Sequence, residues 1–541
     1  MIKTKLISCL EKPFADESFD KYPEYKRMTA LAGEKVSFQL LYTYELDEEN
    51  RGFVIYKYGI SGELAPYATV RQVKNIGVQK PIGLKYDDNY LRTTPGLYPD
   101  VLVPFENNGK FGASINVLNS FWIDIELPTD CSALSGERTL TLTVARDSSN
   151  EVFGEHTFTL DVIAHPLAEE KTLYTQWVDV GSPANYYNVP LWSEKHWEVL
   201  ENFLTTARKN GMNVLFTPAF TQLITITKSG DSFRFNFKKF DRWLAMANRL
   251  GFKCLEMPHL FSSGDAAYSA DIVYREGGEV KHTVGKYKAT DPEYTKIARA
   301  TLKALIAHMK KVDDDKRLVF HLADEPALKN IEKFRAARAS VIDIIGDYQI
   351  LDAIFDIEYW REGLVSSPVP ITDRIAPFLE EDVPNLWTYY CTGPQTKVSN
   401  RFIAQSAACT RSIGMQLYKY NITGLLHWAL CYFGAGDSGG YVEPYIELSG
   451  GNWVPAGDTF SIYPAKDGAA YESMRLCYLR DAFQDIRAMQ EAEKYYSHAE
   501  VVAAIEEELG CPVEFYNCAK SAETMQNIRE RINGMIRRAT K

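Results

Sequence analysis

The run LVFHLADEPA, residues 318–327, ends an apolar stretch in two adjacent acids and a proline. Asp324 and Glu325 could open a helix, with Asp324 as N-cap and Pro326 in the first turn, where its missing N–H is harmless. They could also carry chemistry. Glu325 is not needed for a cap, and neighbouring carboxylates repel unless something uses them. Successive residues of an extended strand point to opposite faces. Two neighbours are therefore awkward as a nucleophile and an acid flanking one glycosidic bond about 5–5.5 Å apart. They suit a substrate that supplies its own nucleophile. The N-acetyl group at C2 of a sugar can attack the anomeric carbon and form an oxazolinium ion. One carboxylate then orients and stabilises the acetamide, and the other protonates the leaving oxygen. This assigns Asp324 to the acetamide and Glu325 to general acid, then base, with its pKa raised by partial burial and the neighbouring charge.

A sugar offers an apolar face for stacking and hydroxyls for bidentate hydrogen bonds, so its site should mix aromatics with acids. Candidates recur at the ends of other apolar runs: Trp177 and Asp179, His259, Tyr390, Trp428, and Asp458 in the loop beyond. Each has a plainer alternative. Trp177 and Trp428 fit a core, and His259 fits a satisfied core histidine. Tyr390 could donate to the acetamide carbonyl, with Tyr389, of opposite parity, as the alternative. The stretch between Ser262 and Asp291 is long for a loop and rich in Tyr and Gly, which suits a lid or substrate wall, or a surface elaboration.

The elements that must hold these residues follow from pattern. Residues 1–168 read as all-β, with TLTLTV and TFTLDVI in period-two alternation, and predict a β-sandwich with one wet face. From about 172 apolar strand-like runs alternate with amphipathic helices. TLYTQWVDV, NVLFTPAF, KCLEMPHLF, RLVFHLADEP, QILDAIFD, DRIAPFL, NLWTYYC and GLLHWALCYF make eight strand candidates. A (β/α)8-type barrel over 169–468 is the economical architecture, with reactive groups at the carboxyl ends of its strands. The helices around Glu358–Glu381 are poor, which keeps an open doubly wound sheet as the alternative. Residues 469–541 predict a helical region packed on the barrel.

The 541-residue chain exceeds one core, so two or three domains are expected. A net charge of −11 argues against duplex nucleic acid or an anionic membrane as partner. No run approaches the roughly 18 apolar residues of a membrane span, and the opening MIKTKLISCLEKPFADESFD lacks a signal-peptide core. The nine cysteines, odd in number and without Cys-x-x-Cys, read as reduced thiols. Together these predict a soluble cytoplasmic protein. No histidine spacing suggests a metal, and no cofactor motif stands in its proper context. GAGDSGG (434–440) matches G-x-G-x-x-G, but no helix-forming stretch follows it.

The strand-end Asp324-Glu325, the run GLLHWALCYF, and GDTFSIYP followed by SMRLCYLRDAFQDIRAM resemble glycoside hydrolase family 123 and related uncharacterised domains. The resemblance covers most of the chain, including the leading sandwich. It implies a retaining exo-β-N-acetylgalactosaminidase that releases terminal β-linked GalNAc from glycans such as those of glycosphingolipids. It also implies the substrate-assisted roles of Asp324 and Glu325. Ala465 stands after Tyr463-Pro464 where the family pattern leads one to expect Gly. The competing readings are a retaining glycosidase for another β-hexosaminide or a non-acetylated sugar, and a carbohydrate-binding protein without catalysis.

Overall fold

The structure, a computed structural model, describes residues 1–46 and 54–540. The alternating N-terminal segments form two five-stranded sheets. One has the spatial order Ile2–Ser8, Lys35–Tyr44, Asn119–Glu126, Ala68–Val78, Gly96–Pro104. The other runs Arg27–Ala32, Val152–Pro166, Gly136–Arg146, Ile55–Ser61, Lys110–Gly112. Side chains of one parity enter the core between them: Val36, Phe38, Leu40, Tyr42 and Tyr44 from a single strand. Phe38 stacks on Phe158 of the opposite sheet with ring centroids 3.9 Å apart.

The two sheets differ on their outer faces. Gly136–Arg146 alternates buried and part-exposed residues, the wet face expected from TLTLTV. The strand Lys35–Tyr44 is buried almost throughout: the helix Met474–Ala492 covers the start of its other side, and Phe19, Tyr22 and Leu118 cover Leu41 farther along. Arg480 of that helix donates to the Ser37 hydroxyl at 2.8 Å, and Gln484 to the Lys35 carbonyl at 2.8 Å. The C-terminal helices Met474–Ala492, His498–Leu509 and Ala522–Ala539 therefore do more than cover the second region, as the sequence suggests. The first is wedged between the regions: Phe483 stacks on Tyr174 of the following domain at 4.5 Å, while Arg475 pairs with Asp100 of the sandwich at 2.8 Å.

Beyond residue 172, among the described residues, eight short strands run parallel in two ladders. Leu173–Gln176, Gly424–His427 and Trp387–Tyr389 form one, and Val214–Phe216, Cys254–His259, Leu318–His321, Gln349–Ala353 and Ser367–Val369 the other. The long helices Glu194–Lys209, Lys238–Leu250 and Pro292–Val312 follow the first three strands in chain order. After the fifth and sixth the helices shrink to Glu358–Arg361 and Ala376–Glu380, the weak stretch visible in the sequence. One strand expectation is corrected. DRIAPFL is not the sixth strand; it forms the turn Thr372–Arg374 and the helix Ala376–Glu380. Ile375, Phe378 and Leu379 stand at i, i+3 and i+4, the helical spacing. The sixth strand is the three-residue Ser367–Val369, cut short by Pro368 and Pro370, which have no N–H for a ladder.

Candidate active site

Asp324 and Glu325 sit just past the end of the fourth parallel strand, Leu318–His321. Neither caps a helix. The chain runs irregularly through 322–327, and the helix Ile331–Ala339 begins later, after a turn at Leu328–Asn330. Glu325 has φ +46°, the left-handed region that a non-glycine residue rarely adopts. Such a residue persists only where its surroundings hold it, at a cost of about 1–3 kcal/mol. The Glu325 amide donates to the Ala353 carbonyl at 3.0 Å, and Gly264 donates its amide to the Asp324 carbonyl at 2.8 Å. The turn also breaks the strict alternation that would send two neighbouring side chains to opposite faces.

Both carboxylates are half-buried, and neither pairs with a lysine or arginine among the described residues. Neutral donors hold them instead. The Tyr389 hydroxyl, at the end of the seventh strand, donates to Glu325 Oε1. The Ser263 hydroxyl, from the base of the long insertion, donates to Asp324 Oδ2 at 3.3 Å. Burial, and then the charge of Glu325, push the Asp324 carboxyl up to about 6, against the pull of His321. Burial and the same glutamate push the Tyr389 hydroxyl far up, so it stays a proton donor. The carboxyl whose pKa is raised is that of Asp324.

Beneath the pair lies a buried polar layer. Glu256, in the third strand, accepts from Trp177 Nε1 at 2.7 Å, His321 Nε2 at 2.8 Å and Thr175 Oγ1 at 2.6 Å. Asp352, in the fifth, accepts the Leu322 and Ala323 amides at 2.8 and 3.2 Å, pinning the chain just before the acids. His321 stands between them. Burial opposes its protonation, yet Asp352 and Glu256 outweigh it and raise its pKa to about 9. At 3.8 Å the Asp352 contact is ionic, and the Glu256 contact is the hydrogen bond.

The other candidate residues distribute unevenly. Trp177 and His259 join this cluster: their rings lie 5.4 Å apart, and His259 is 4.7 Å from His321. Trp428 is half-buried, packed with Tyr432 and Trp453 at 5.3 and 5.9 Å, and its Nε1 donates to Asp458 at 2.8 Å. Asp458 is fully buried and also bonded to His427 at 3.2 Å, so it orients the indole rather than meeting solvent. Asp179 is occupied by the Gly181 amide and the Ser182 hydroxyl, at 2.8 and 2.6 Å, and steadies the turn into Gly181–Tyr186. Tyr390 is 1% exposed against His427, and its neighbour Tyr389 takes the place at the acids. Glu256, Ser263, His321 and Asp352 were not singled out by sequence. Three of them left a signal, a charged or ionisable residue inside an apolar strand, which is stable only when paired. Ser263 left none.

The family model for the catalytic domain of glycoside hydrolase 123 matches residues 177–492. Among solved structures, a family 123 glycoside hydrolase from Clostridium perfringens, described in work on glycolipid glycan hydrolysis, superposes over 100% of this chain and 98% of its own. Its TM-score is 0.75 at 16% identity, a likeness of fold. A GH10 xylanase from Thermobacillus composti, at TM-score 0.32 and 12% identity over 58% of this chain and 97% of that one, is too distant to carry an argument. No curated protein sequence matches. With more than half of its residues matched by the catalytic-domain model, the chain belongs to glycoside hydrolase family 123.

Proposed function

We propose that this glycoside hydrolase is a retaining exo-β-N-acetylgalactosaminidase acting through the substrate's own acetamide. The observation that carries the proposal is a pair of consecutive, half-buried carboxylates, held by Tyr389 and Ser263 and, among the described residues, lacking an arginine or lysine partner. An acid left without a cation is stabilised when positive charge develops beside it. The acetamide oxygen bonds to the anomeric carbon as the glycosidic C–O bond breaks, and the leaving oxygen takes its proton from Glu325. The oxazolinium cation then lies against Asp324, whose raised pKa marks an under-compensated charge. This attraction exists in the transition state and not in the resting sugar, so it lowers the barrier rather than KM. Water then adds to the anomeric carbon, Glu325 takes its proton, and the carbon–acetamide oxygen bond opens, with net retention.

The same proposal joins the two parallel ladders into one (β/α)8 barrel. Their strand order follows chain order around a ring. The seams are crossed by a bridge between Ile371 and Tyr389, and by the Asn213 amide on the Tyr174 carbonyl at 3.0 Å. Asp324, Glu325, Tyr389, His259, Trp177 and Trp428 would then share one rim, with Trp428 and Trp453 walling the sugar site. No helix among the described residues is long and apolar enough to cross a membrane, and glycolipid-derived oligosaccharides are the substrates we favour.

The test is a panel of aryl β-glycosides with GalNAc, GlcNAc and galactose, and inhibition by a GalNAc-thiazoline. Preference for the GalNAc glycoside with thiazoline inhibition is expected. Cleavage of the plain galactoside with thiazoline insensitivity would overturn substrate assistance, and preference for GlcNAc would overturn the sugar assignment.

A further inference from the structure

Three ligand-type side chains converge under the acid pair: His259 at the end of the third strand, His321 at the end of the fourth and Asp352 in the fifth. Their ligand atoms all lie within 4.8 Å of one another. His321 and Asp352 are 1% and 0% exposed. His259 Nε2, His321 Nδ1 and Asp352 Oδ2 are each buried without a hydrogen-bond partner. Buried polar atoms without a partner also occur elsewhere in the chain, but here three ligand-type side chains that carry them converge, which is a place for an occupant.

We infer that His259, His321 and Asp352 form a binding site for a divalent transition metal of the zinc class.

The support lies in what the remaining atoms of these side chains do. His321 presents Nδ1 to the site while its Nε2 is bonded to Glu256 at 2.8 Å. A carboxylate on the far nitrogen fixes the tautomer and raises the basicity of a ligating imidazole. Asp352 holds its Oδ1 on two backbone amides, 3.8 Å from His321 Nδ1, and leaves Oδ2 buried without a hydrogen-bond partner. Two imidazoles and one carboxylate are a donor set that zinc accepts with a further position open. Ligands around tetrahedral zinc stand roughly 3.3–3.5 Å apart for bonds of about 2.0–2.1 Å, so the side chains need close in by only about an ångström. Charge fits as well. With His321 neutral, one divalent ion balances Glu256 and Asp352, two fully buried anions. The proton displaced from the imidazole leaves to solvent, so uptake weakens at low pH. The ion would brace the floor that Asp352 already pins beneath Leu322 and Ala323.

The full-length chain, stripped with a chelator and dialysed, is titrated with zinc against a chromophoric chelator, and its metal content is read by elemental analysis. One equivalent per chain is expected. Cobalt should give the visible d–d absorption of a nitrogen- and oxygen-ligated ion. His259→Ala should lose at least tenfold in zinc affinity, while His282→Ala, at an exposed histidine remote in the chain, should bind as wild type. If Asp352→Asn folds poorly, His259→Ala carries the test alone, since it removes no backbone clamp. Failure of the stripped chain to take up a stoichiometric ion, or equal uptake by His259→Ala, would overturn the inference. Neither outcome depends on which sugar is cleaved.

Discussion

Asp100, Asp124 and Glu472, buried between the sandwich and the C-terminal helix, each face an arginine: Arg475 for the first, and Arg71 for the other two. Asp324 and Glu325 face a serine and a tyrosine. Both groups are removed from water, but only the first is neutralised. A buried anion with its guanidinium is locked, because losing either partner strands the other. A half-buried anion held by hydroxyls keeps an interaction in reserve for a charge that arrives with the substrate. The seam therefore joins the domains, and the strand-end pair keeps the free charge that our proposed mechanism uses. The pKa directions express the same contrast. Burial alone would raise Glu472, but Arg71 and then Lys35 outweigh it and bring it down to about 2. Asp324 has no such partner among the described residues and rises to about 6.

The contrast can be broken at several points. Asp324→Asn and Glu325→Gln should each lower kcat/KM on an aryl β-GalNAc by about 10²–10⁴-fold, the usual worth of a positioned acid or base. Their thermal midpoints should stay at or above wild type, and a large fall would place the pair with the structural charges. Arg475→Met should do the reverse. Stranding Asp100 costs about 3–5 kcal/mol, seen as a lower melting temperature with activity per folded molecule retained. Tyr389→Phe removes a hydrogen bond to a charged group, worth about 1.5–3 kcal/mol, and should lower kcat by roughly 10–100-fold together with a smaller fall in melting temperature than Arg475→Met.

The smallest effects are in pH dependence. Glu472 has its folded pKa below its ordinary 4.5, so its stabilisation is present above that value and is lost as pH falls towards about 2. Asp324 is shifted the other way. Its ionisation works against the fold, so stability declines as pH rises from the ordinary 3.8 through about 6. Asp324→Asn should therefore melt higher than wild type at pH 8 and lose that advantage near pH 4. The acid limb of kcat/KM should lie at about 6 if ionised Asp324 is required. Ser263→Ala removes a hydrogen bond that lowers this pKa and should move the limb upward by a fraction of a pH unit; a downward move would contradict the assignment.

Much of this was legible along the chain because it is periodic. The period-two segments announced the sandwich, and the apolar runs spaced by helices announced the parallel strands. The exception, DRIAPFL, is a short apolar stretch whose helical spacing competes with strand length. The acid pair was legible because it breaks local sense: two like charges at the end of an apolar run, one of them unneeded for a cap. Tyr390 shows the limit. Adjacent tyrosines at a strand end differ only in parity, and a one-residue shift where the strand stops, at Tyr389, decides which meets Glu325.

Composition, periodicity and a misplaced pair of acids thus carried the layer order, the family likeness and the place proposed for the chemistry, since each is local and repeats or contradicts its surroundings within a few residues. The partners of those acids come from far along the chain: Ser263 from an insertion, Tyr389 from the seventh strand, Asp352 from the fifth. Folding alone brings them together. Whether a carboxylate meets a guanidinium or a hydroxyl, and hence whether it serves as clamp or reagent, is set by proximity in space, on which the order of residues is silent.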